Sequence, residues 1–228
     1  MRSSDRGGVR GVRSRRTGAA RDVTARRTTP GPPPRRQPAR SHPAPRPHRA
    51  APARLPRAIE ADPALAERVA RFLARGEPLW RAGEVAVPRA PLGDALAEAL
   101  RRARRAGELV RGLEGAARAL ADEEKGLRLA ERAGGPPRGA RISRLLLLSD
   151  DGAERFYRHA ESLLRRHAPR LVAVRLATDA DTLGGLLFGP GRPARAVLLE
   201  RKEAVAAALR ALADAGDEPT PGPPDSAK

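Results

Sequence analysis

The sequence predicts an α/β fold, a three-layer α/β/α sandwich, and the pattern of its last third carries this prediction. Three apolar runs have the length of strands, at residues 141–149, 171–176 and 194–199. Each is followed by a segment whose apolar residues recur at helical spacing, at residues 153–167, 179–188 and 202–214. Strands that are apolar throughout are typical of a sheet covered on both faces, and their alternation with helices favours mostly parallel strands.

Two adjacent acids, Asp150 and Asp151, lie between the first of these strands and its helix. We expect them to cap the helix at its positive end. An alternative is a receiver-like phospho-acceptor domain, in which such a pair holds Mg²⁺ through carboxylate oxygens. That domain also requires an acid at the end of a later strand, which is missing here, and a lysine, for which only Lys202 is suitably placed.

The first part of the chain has a different composition. Up to Ala58 there are 16 arginines, no lysine, two acids and ten prolines, which gives +14 of the +18 net charge of the whole chain. We expect residues 1–54 to be disordered because so few large apolar side chains cannot offset the entropy of ordering. Such a segment can contact phosphates through counterion release. It can equally be a solvated tail, a transit peptide or the product of a shifted reading frame in GC-rich DNA.

The composition argues against several classes of protein. The chain has no cysteine, which fits a reducing compartment, and no apolar run approaches the roughly 20 residues that span a bilayer. No secretory signal is recognisable, and we expect a cytoplasmic protein without membrane contact.

Gly184 and Gly185 lie inside a predicted helix and suit close packing better than dinucleotide binding. His159 and His167 are eight residues apart, too far for a shared ligand, and we expect no enzyme, metal or cofactor.

Residues 55–91 are expected to form a small α+β unit. Asp62 and Pro63 mark the start of a helix, and residues 84–87 form a short strand that Pro88 is expected to stop. We interpret the single tryptophan, Trp80, as a packing anchor rather than a platform for base stacking.

Residues 92–215 form the main predicted domain. It starts with a helix at 94–106, an edge-like strand at 108–112 and a helix at 113–121. Residues 122–139 are expected to be a flexible insertion because they include the glycines and prolines of 134–137. Residues 216–228 are expected to be a second disordered tail, polar and rich in proline.

The densest positive charge inside the predicted fold surrounds the strand at 108–112. It comes from six arginines, opposed locally only by Glu108 and Glu114: Arg101, Arg102, Arg104, Arg105, Arg111 and Arg118. Such a cluster is either a solvated helix face or a phosphate site beside a helix N-terminus, whose free backbone N–H groups already favour anions.

Four segments in order resemble the kink-turn RNA-binding ribosomal protein superfamily (the L-seven-Ae and L-thirty-e type), particularly its bacterial YlxQ-like branch. They are residues 99–114, 144–151, 182–189 and 195–199 with the helix that follows. Apart from the insertion, order and spacing agree over about residues 93–214. The resemblance implies the L-thirty-e-like form of the three-layer sandwich.

In that family RNA is contacted by the turn into the second helix and by the loop after the Leu-Gly helix. On this chain Gly112 matches the glycine of the turn, and Arg118 falls where the family has a lysine. Glu114 and Gly115 replace an asparagine and a glutamate that read sheared purine pairs, so specific kink-turn recognition is not implied. The second loop corresponds to residues 189–194, flanked by Arg192 and Arg195.

Residues 55–88 resemble more faintly the C-terminal part of a YlxR-type (DUF448) domain. The match lies in residues 71–76 and 80–88, and the first half of that domain has no counterpart here. We therefore expect a degenerate domain of this kind in front of the main one.

The function expected from these observations is non-enzymatic binding of structured RNA, associated with the ribosome, its assembly or the transcription-translation machinery. The expected contact residues are Arg101, Arg102, Arg104, Arg105, Arg111, Gly112, Glu114, Arg118, Arg192 and Arg195. The alternatives are a protein-interaction domain whose RNA face has decayed and the receiver-like domain.

Overall fold

The computed structural model describes residues 54–136 and 139–217. The segments predicted to be disordered, 1–54 and 216–228, lie almost wholly outside these residues. The elements in chain order are α1 Arg57–Glu60, α2 Pro63–Ala74, β1 Gly76–Pro78, β2 Ala86–Ala90, α3 Asp94–Arg105, β3 Leu109–Arg111, α4 Leu113–Arg132, β4 Arg144–Leu148, α5 Glu154–His167, β5 Leu171–Leu176, α6 Ala180–Phe188, β6 Ala196–Leu199 and α7 Lys202–Asp217.

The six strands form one mixed sheet in the order β1-β2-β5-β4-β6-β3. Strands β2, β5 and β4 are parallel neighbours, whereas β6 is antiparallel to β4, and β3 to β6. The predicted α/β class is confirmed. The predicted parallel pairing holds only for β2, β5 and β4. Strand β6 is antiparallel because the chain enters it through the 189–195 loop, beside the end of β4 rather than beside its start.

Helices cover both faces of the sheet, because successive side chains of a strand point to opposite sides. Leu145 and Leu147 belong to a cluster with α1, α2, α3, α6 and α7. Leu146 and Leu148 belong to a second cluster with α4 and α5. All four leucines are fully buried, and each such side chain stabilises the fold by about 1.5–3 kcal/mol relative to exposure. The result is a three-layer sandwich.

Helix α4 is much longer than predicted. It does not end at Ala121 but continues to Arg132, so most of the expected flexible insertion is helical. The extension is tied to the amino end of the sheet, because Glu123 pairs with Arg144 at 3.0 Å and also with Arg170. Both arginines are distant from Glu123 in the sequence, so no local pattern could predict these pairs.

Strand β2 also departs from the prediction. It runs through Pro88 to Ala90 instead of ending before the proline. Pairing with β5 begins only at Arg89, so Pro88, which has no N–H to donate, lies outside the hydrogen-bonded part of the β2–β5 pair.

The segment 55–91, predicted as a separate small unit, lies in the same sheet as the rest. Its strand β2 pairs with β5, and Ile59, Leu65 and Val69 are buried in the cluster that α7 also enters. Its resemblance to a degenerate YlxR-type domain stays a prediction. Within the described residues, none of the helices combines the length and apolar character needed to cross a membrane.

Candidate nucleic-acid interface

Several helices begin at the edge of the sheet where the parallel strands end. We call this the carboxyl edge, and it carries the N-termini of α3, α5 and α6. Helix α4 begins at the same edge, where the Gly112 N–H donates to the Ala196 carbonyl oxygen at 2.8 Å. The N-cap residues Gly93, Gly112 and Ala153 make no side-chain cap hydrogen bond. Backbone N–H groups in the first turn of a helix lack intrahelical partners and attract anions.

Two of the predicted arginines contact the same aromatic ring beside this edge. The guanidinium carbon of Arg104 lies 5.3 Å from the ring centroid of Phe188, and that of Arg111 lies 5.4 Å from it. The Arg111 guanidinium also donates from Nε and Nη2 to the Pro193 carbonyl oxygen, at 3.1 and 2.6 Å. We call Arg104, Arg111, Phe188 and the 189–195 loop the arginine–phenylalanine site.

Local sequence explains how these side chains come together. Arg104 lies in the last turn of α3, and Phe188 is the last residue of α6. Side chains alternate along β3, so Arg111 points to the same face as Leu109, the face that α3 and α6 cover. The contact role of Phe188 was missed by the sequence analysis, because a single aromatic residue at a helix end has no distinctive pattern.

A close helix–loop contact fixes the 189–195 loop. The Ala194 N–H donates to the Ala180 carbonyl at 2.8 Å. A Cβ atom on Gly184 would lie 2.7 Å from both the Ala194 nitrogen and the Pro193 Cα, and would overlap the Arg192 carbonyl oxygen. The close packing predicted for Gly184 and Gly185 is thus present at Gly184 only, because nothing lies within 4 Å of a Cβ on Gly185. Only glycine lets the loop backbone lie this close to α6.

The remaining predicted arginines do not all join the site. Arg101 and Arg105 pair with Glu98 on the exposed side of α3, at 3.7 and 3.0 Å. Arg102 is exposed and lies about 200° around the helix from Arg104. Arg192 is exposed on the loop, whereas Arg195 pairs with Asp151 at 3.8 Å.

The turn into α4 links the site to the other helical layer. Gly112 has φ of +80°, a conformation that favours glycine. A Cβ on Gly115 would lie 2.9 Å from Val110 Cγ1, which accounts for a residue without a side chain where the resemblance places a glutamate. Glu114 and Arg118 are exposed on α4, which packs on the opposite face of the sheet from Arg104.

Asp150 and Asp151 do not cap α5, contrary to the prediction. The N-cap of α5 is Ala153, and Asp150 instead pairs with Arg89 and Arg175 from β2 and β5. Asp151 accepts a hydrogen bond from the Ser149 hydroxyl at 2.6 Å. Burial disfavours the charged form of Asp150, but the hydrogen bonds from Arg89 and Arg175 outweigh this effect, and its pKa lies below the ordinary value.

These contacts give no support to the receiver-like alternative. The Asp150 carboxylate is engaged by two arginines rather than by other acids. Among residues 54–136 and 139–217 there is no group of three histidines, cysteines or acids that could hold a metal ion.

Comparisons with known proteins add little to this geometry. No protein-family model matches the chain, and no curated protein matches it. A similar solved structure is that of a protein with unknown function from Bacillus halodurans C, with 21% identity over 53% of this chain and 97% of that chain. The TM-score is 0.31, and we base no argument on this similarity.

Proposed function

We propose that this protein is a non-enzymatic RNA-binding protein that contacts structured RNA through the arginine–phenylalanine site. The supporting observation is that Arg104 and Arg111 both contact the ring of Phe188, next to the 189–195 loop and to the start of α4, which has no side-chain cap. These are the two regions that the family resemblance assigns to RNA contact.

The chemistry of the site suits phosphate groups. Arginine presents several N–H donors in a planar fork, and stacking on Phe188 holds the two guanidinium groups in defined positions before RNA arrives. Arg111 uses Nε and one Nη2 donor for Pro193, which leaves its other N–H groups for a ligand. Contacts of this kind fix RNA in place without reading its sequence.

We further propose that the three-layer sandwich is of the L-thirty-e-like type and that the RNA belongs to the ribosome or its assembly, in the cytoplasm. The proposal rests on the resemblance of the four segments described above and is supported by the spatial proximity of the Gly112 turn and the 189–195 loop. Residues 55–91 would then be a degenerate YlxR-like segment built onto the same sheet.

The test is binding of a structured ribosomal RNA fragment to the full chain over a range of salt concentrations. The double variant Arg104→Gln/Arg111→Gln should bind more weakly, and the slope of log K against log salt should fall by about 0.7–0.9 per lost phosphate contact. The matched control Arg71→Gln, an exposed arginine on α2, should change neither. If both variants lost RNA affinity equally, the result would count against the site, because it would show that loss of positive charge anywhere on the protein weakens binding.

A protein partner is the second candidate, and the charge balance of the carboxyl edge favours it. Asp150 pairs with Arg89 and Arg175, and Asp151 lies beside Arg195, so this half of the edge presents charges of both signs. If the double variant retains full RNA affinity but loses a co-purifying protein, this second function is the correct one.

A further inference from the structure

A groove lies on the other helical layer, between the 79–85 loop and α5. It has a volume of about 390 Å³, and its lining includes Trp80 and Glu84 from the loop and Arg158, Ser162 and Arg165 from the helix. Ligand pockets commonly have volumes of about 300–1,000 Å³, so the groove is large enough for a small aromatic group and an attached anion.

Trp80 is held rigidly at one end of this groove. Its indole Nε1 donates to Glu161, a buried carboxylate on α5. The other oxygen of Glu161 accepts the backbone N–H groups of Glu84 at 2.7 Å and Val85 at 3.0 Å. The indole packs against the core cluster of α4 and α5, as the sequence predicted for a packing anchor.

The outward side of the indole is covered by the exposed side chain of Arg158 rather than by the core. The Arg158 guanidinium carbon lies 4.5 Å from the ring centroid. Arg158 pairs with Glu154, and its side chain is 59% exposed. An exposed ion pair of this kind contributes about 0–1 kcal/mol and an exposed cation–π contact about 0.5–1 kcal/mol, so Arg158 can move outward and stack on an entering flat ring in place of the indole.

The same face of α5 supplies donors for an anion. Arg158, Ser162 and Arg165 follow one another at helical positions i, i+4 and i+7 and therefore form one stripe. Arg165 pairs with Glu84 on the loop, which is 66% exposed, and this pair can give way. The Arg165 Nη2 also lies 3.4 Å from Oε1 of the buried Glu161, a contact that keeps the guanidinium beside the groove. Both oxygens of Glu161 are taken by donors, so an anion would lie on the solvent side of the two arginines.

We propose that this groove binds one nucleotide unit, an aromatic base joined to a phosphate. The base stacks between Trp80 and Arg158, and Arg165 and Ser162 hold the phosphate. Stacking of a base on an aromatic side chain contributes about 1–3 kcal/mol and tolerates any base. The inference goes beyond the proposed RNA site and does not rest on it, because Arg104 and Arg111 lie on the opposite face of the sheet.

The test uses the fluorescence of Trp80, which is the only tryptophan of the chain. The full chain is titrated with adenosine monophosphate, adenosine, inorganic phosphate and a six-nucleotide RNA. Saturable quenching by the monophosphate, much weaker quenching by adenosine and none by phosphate alone is the expected result. Tighter binding of the oligonucleotide than of the monophosphate would identify an RNA strand as the source of the nucleotide, and equal binding a free nucleotide.

Variants make the result specific to the groove. Arg165→Gln should weaken the quenching interaction about tenfold, as loss of a charge-assisted hydrogen bond does, and Ser162→Ala should weaken it less. Arg210→Gln, an exposed arginine on α7 in the other layer, is the matched control and should have no effect. Absence of saturable quenching by any nucleotide, or equal loss in Arg165→Gln and Arg210→Gln, would overturn the proposal.

The two sites can fail separately. Arg104→Gln/Arg111→Gln should lower the affinity for structured RNA and leave the quenching of Trp80 by the monophosphate unchanged. The Arg165→Gln variant should show the opposite pattern if each site acts independently.

Discussion

Arg111 donates two hydrogen bonds to the carbonyl oxygen of Pro193, 82 residues away in the chain. This contact joins an edge strand to the loop that precedes β6, and it orients an arginine that also stacks on Phe188. The side chain therefore holds the loop, and in the proposed function it also presents donors to RNA.

Replacing Arg111 with lysine should distinguish the effect of the guanidinium geometry from the effect of the positive charge. Lysine keeps the positive charge but cannot form the planar two-donor contact with Pro193. We expect RNA affinity to fall about tenfold, with the free energy of unfolding lowered by about 1 kcal/mol. Arg210→Lys is the control in the same two measurements. An unchanged affinity in Arg111→Lys would show that the geometry of the fork is irrelevant.

Gly184 and its neighbour Gly185 offer a matched test of the helix–loop contact. A methyl group on Gly184 would collide with the backbone of residues 192–194, whereas nothing lies within 4 Å of one on Gly185. Gly184→Ala should lower the free energy of unfolding by about 1–3 kcal/mol, because the loop must move. Gly185→Ala should be neutral or stabilise by up to about 1 kcal/mol through helix propensity. Urea denaturation of both variants decides between these outcomes.

Glu161 should make stability depend on acid pH. Burial raises the pKa of this carboxyl, but hydrogen bonds from Trp80, Glu84 and Val85 outweigh burial and place it below the ordinary value. A group whose pKa is lowered by folding stabilises fully above its unfolded pKa of about 4.3, and the stabilisation is lost as pH falls through the lowered value.

In Glu161→Gln, the free energy of unfolding should be lower by about 1–3 kcal/mol at pH 7 and the difference should shrink towards pH 3. Glu98→Gln, on the exposed side of α3, should give a curve close to that of the unchanged protein. A constant difference at all pH values would mean that the charge of Glu161 has no role.

Glu123 should control the order of the α4 extension. It pairs with both Arg144 and Arg170, which are less than one fifth exposed. Burial lowers the pKa of Arg144 and nearby Glu123 opposes this, so removal of the acid leaves two cations poorly compensated. Glu123→Ala should cost about 1–3 kcal/mol of stability and speed hydrogen exchange in residues 125–132. Asp122→Ala, an exposed neighbour, should leave exchange unchanged.

The sequence predicted the parts of the fold that depend on local pattern. The apolar runs of β4, β5 and β6 and the periodic faces of α3, α5 and α7 are visible because burial on two faces or on one stripe constrains every residue of the element. The edge strand predicted at residues 108–112 from its shortness is present as β3, which pairs with β6 on one side.

What the sequence did not reveal depends on partners distant in the chain. The length of α4 follows from Glu123 meeting Arg144 and Arg170, and the fate of Asp150 follows from Arg89 and Arg175 reaching it from two other strands. A local rule favoured helix capping for Asp150, and the tertiary ion pair prevailed. In the candidate site, Arg104 and Arg111 were among the predicted contact residues, but the aromatic ring of Phe188 that both contact was not predicted.

The parallel pairing of β2 with β5 has a practical consequence for dividing this chain. A fragment that begins at Gly93, near the start of the main domain predicted from the sequence, would leave the backbone donors and acceptors of β5 open to solvent and to other molecules. It would also uncover the apolar side of α7 that α2 now shields. Such a fragment should self-associate, whereas one that begins before Arg54 retains the strand that closes this side of the sheet.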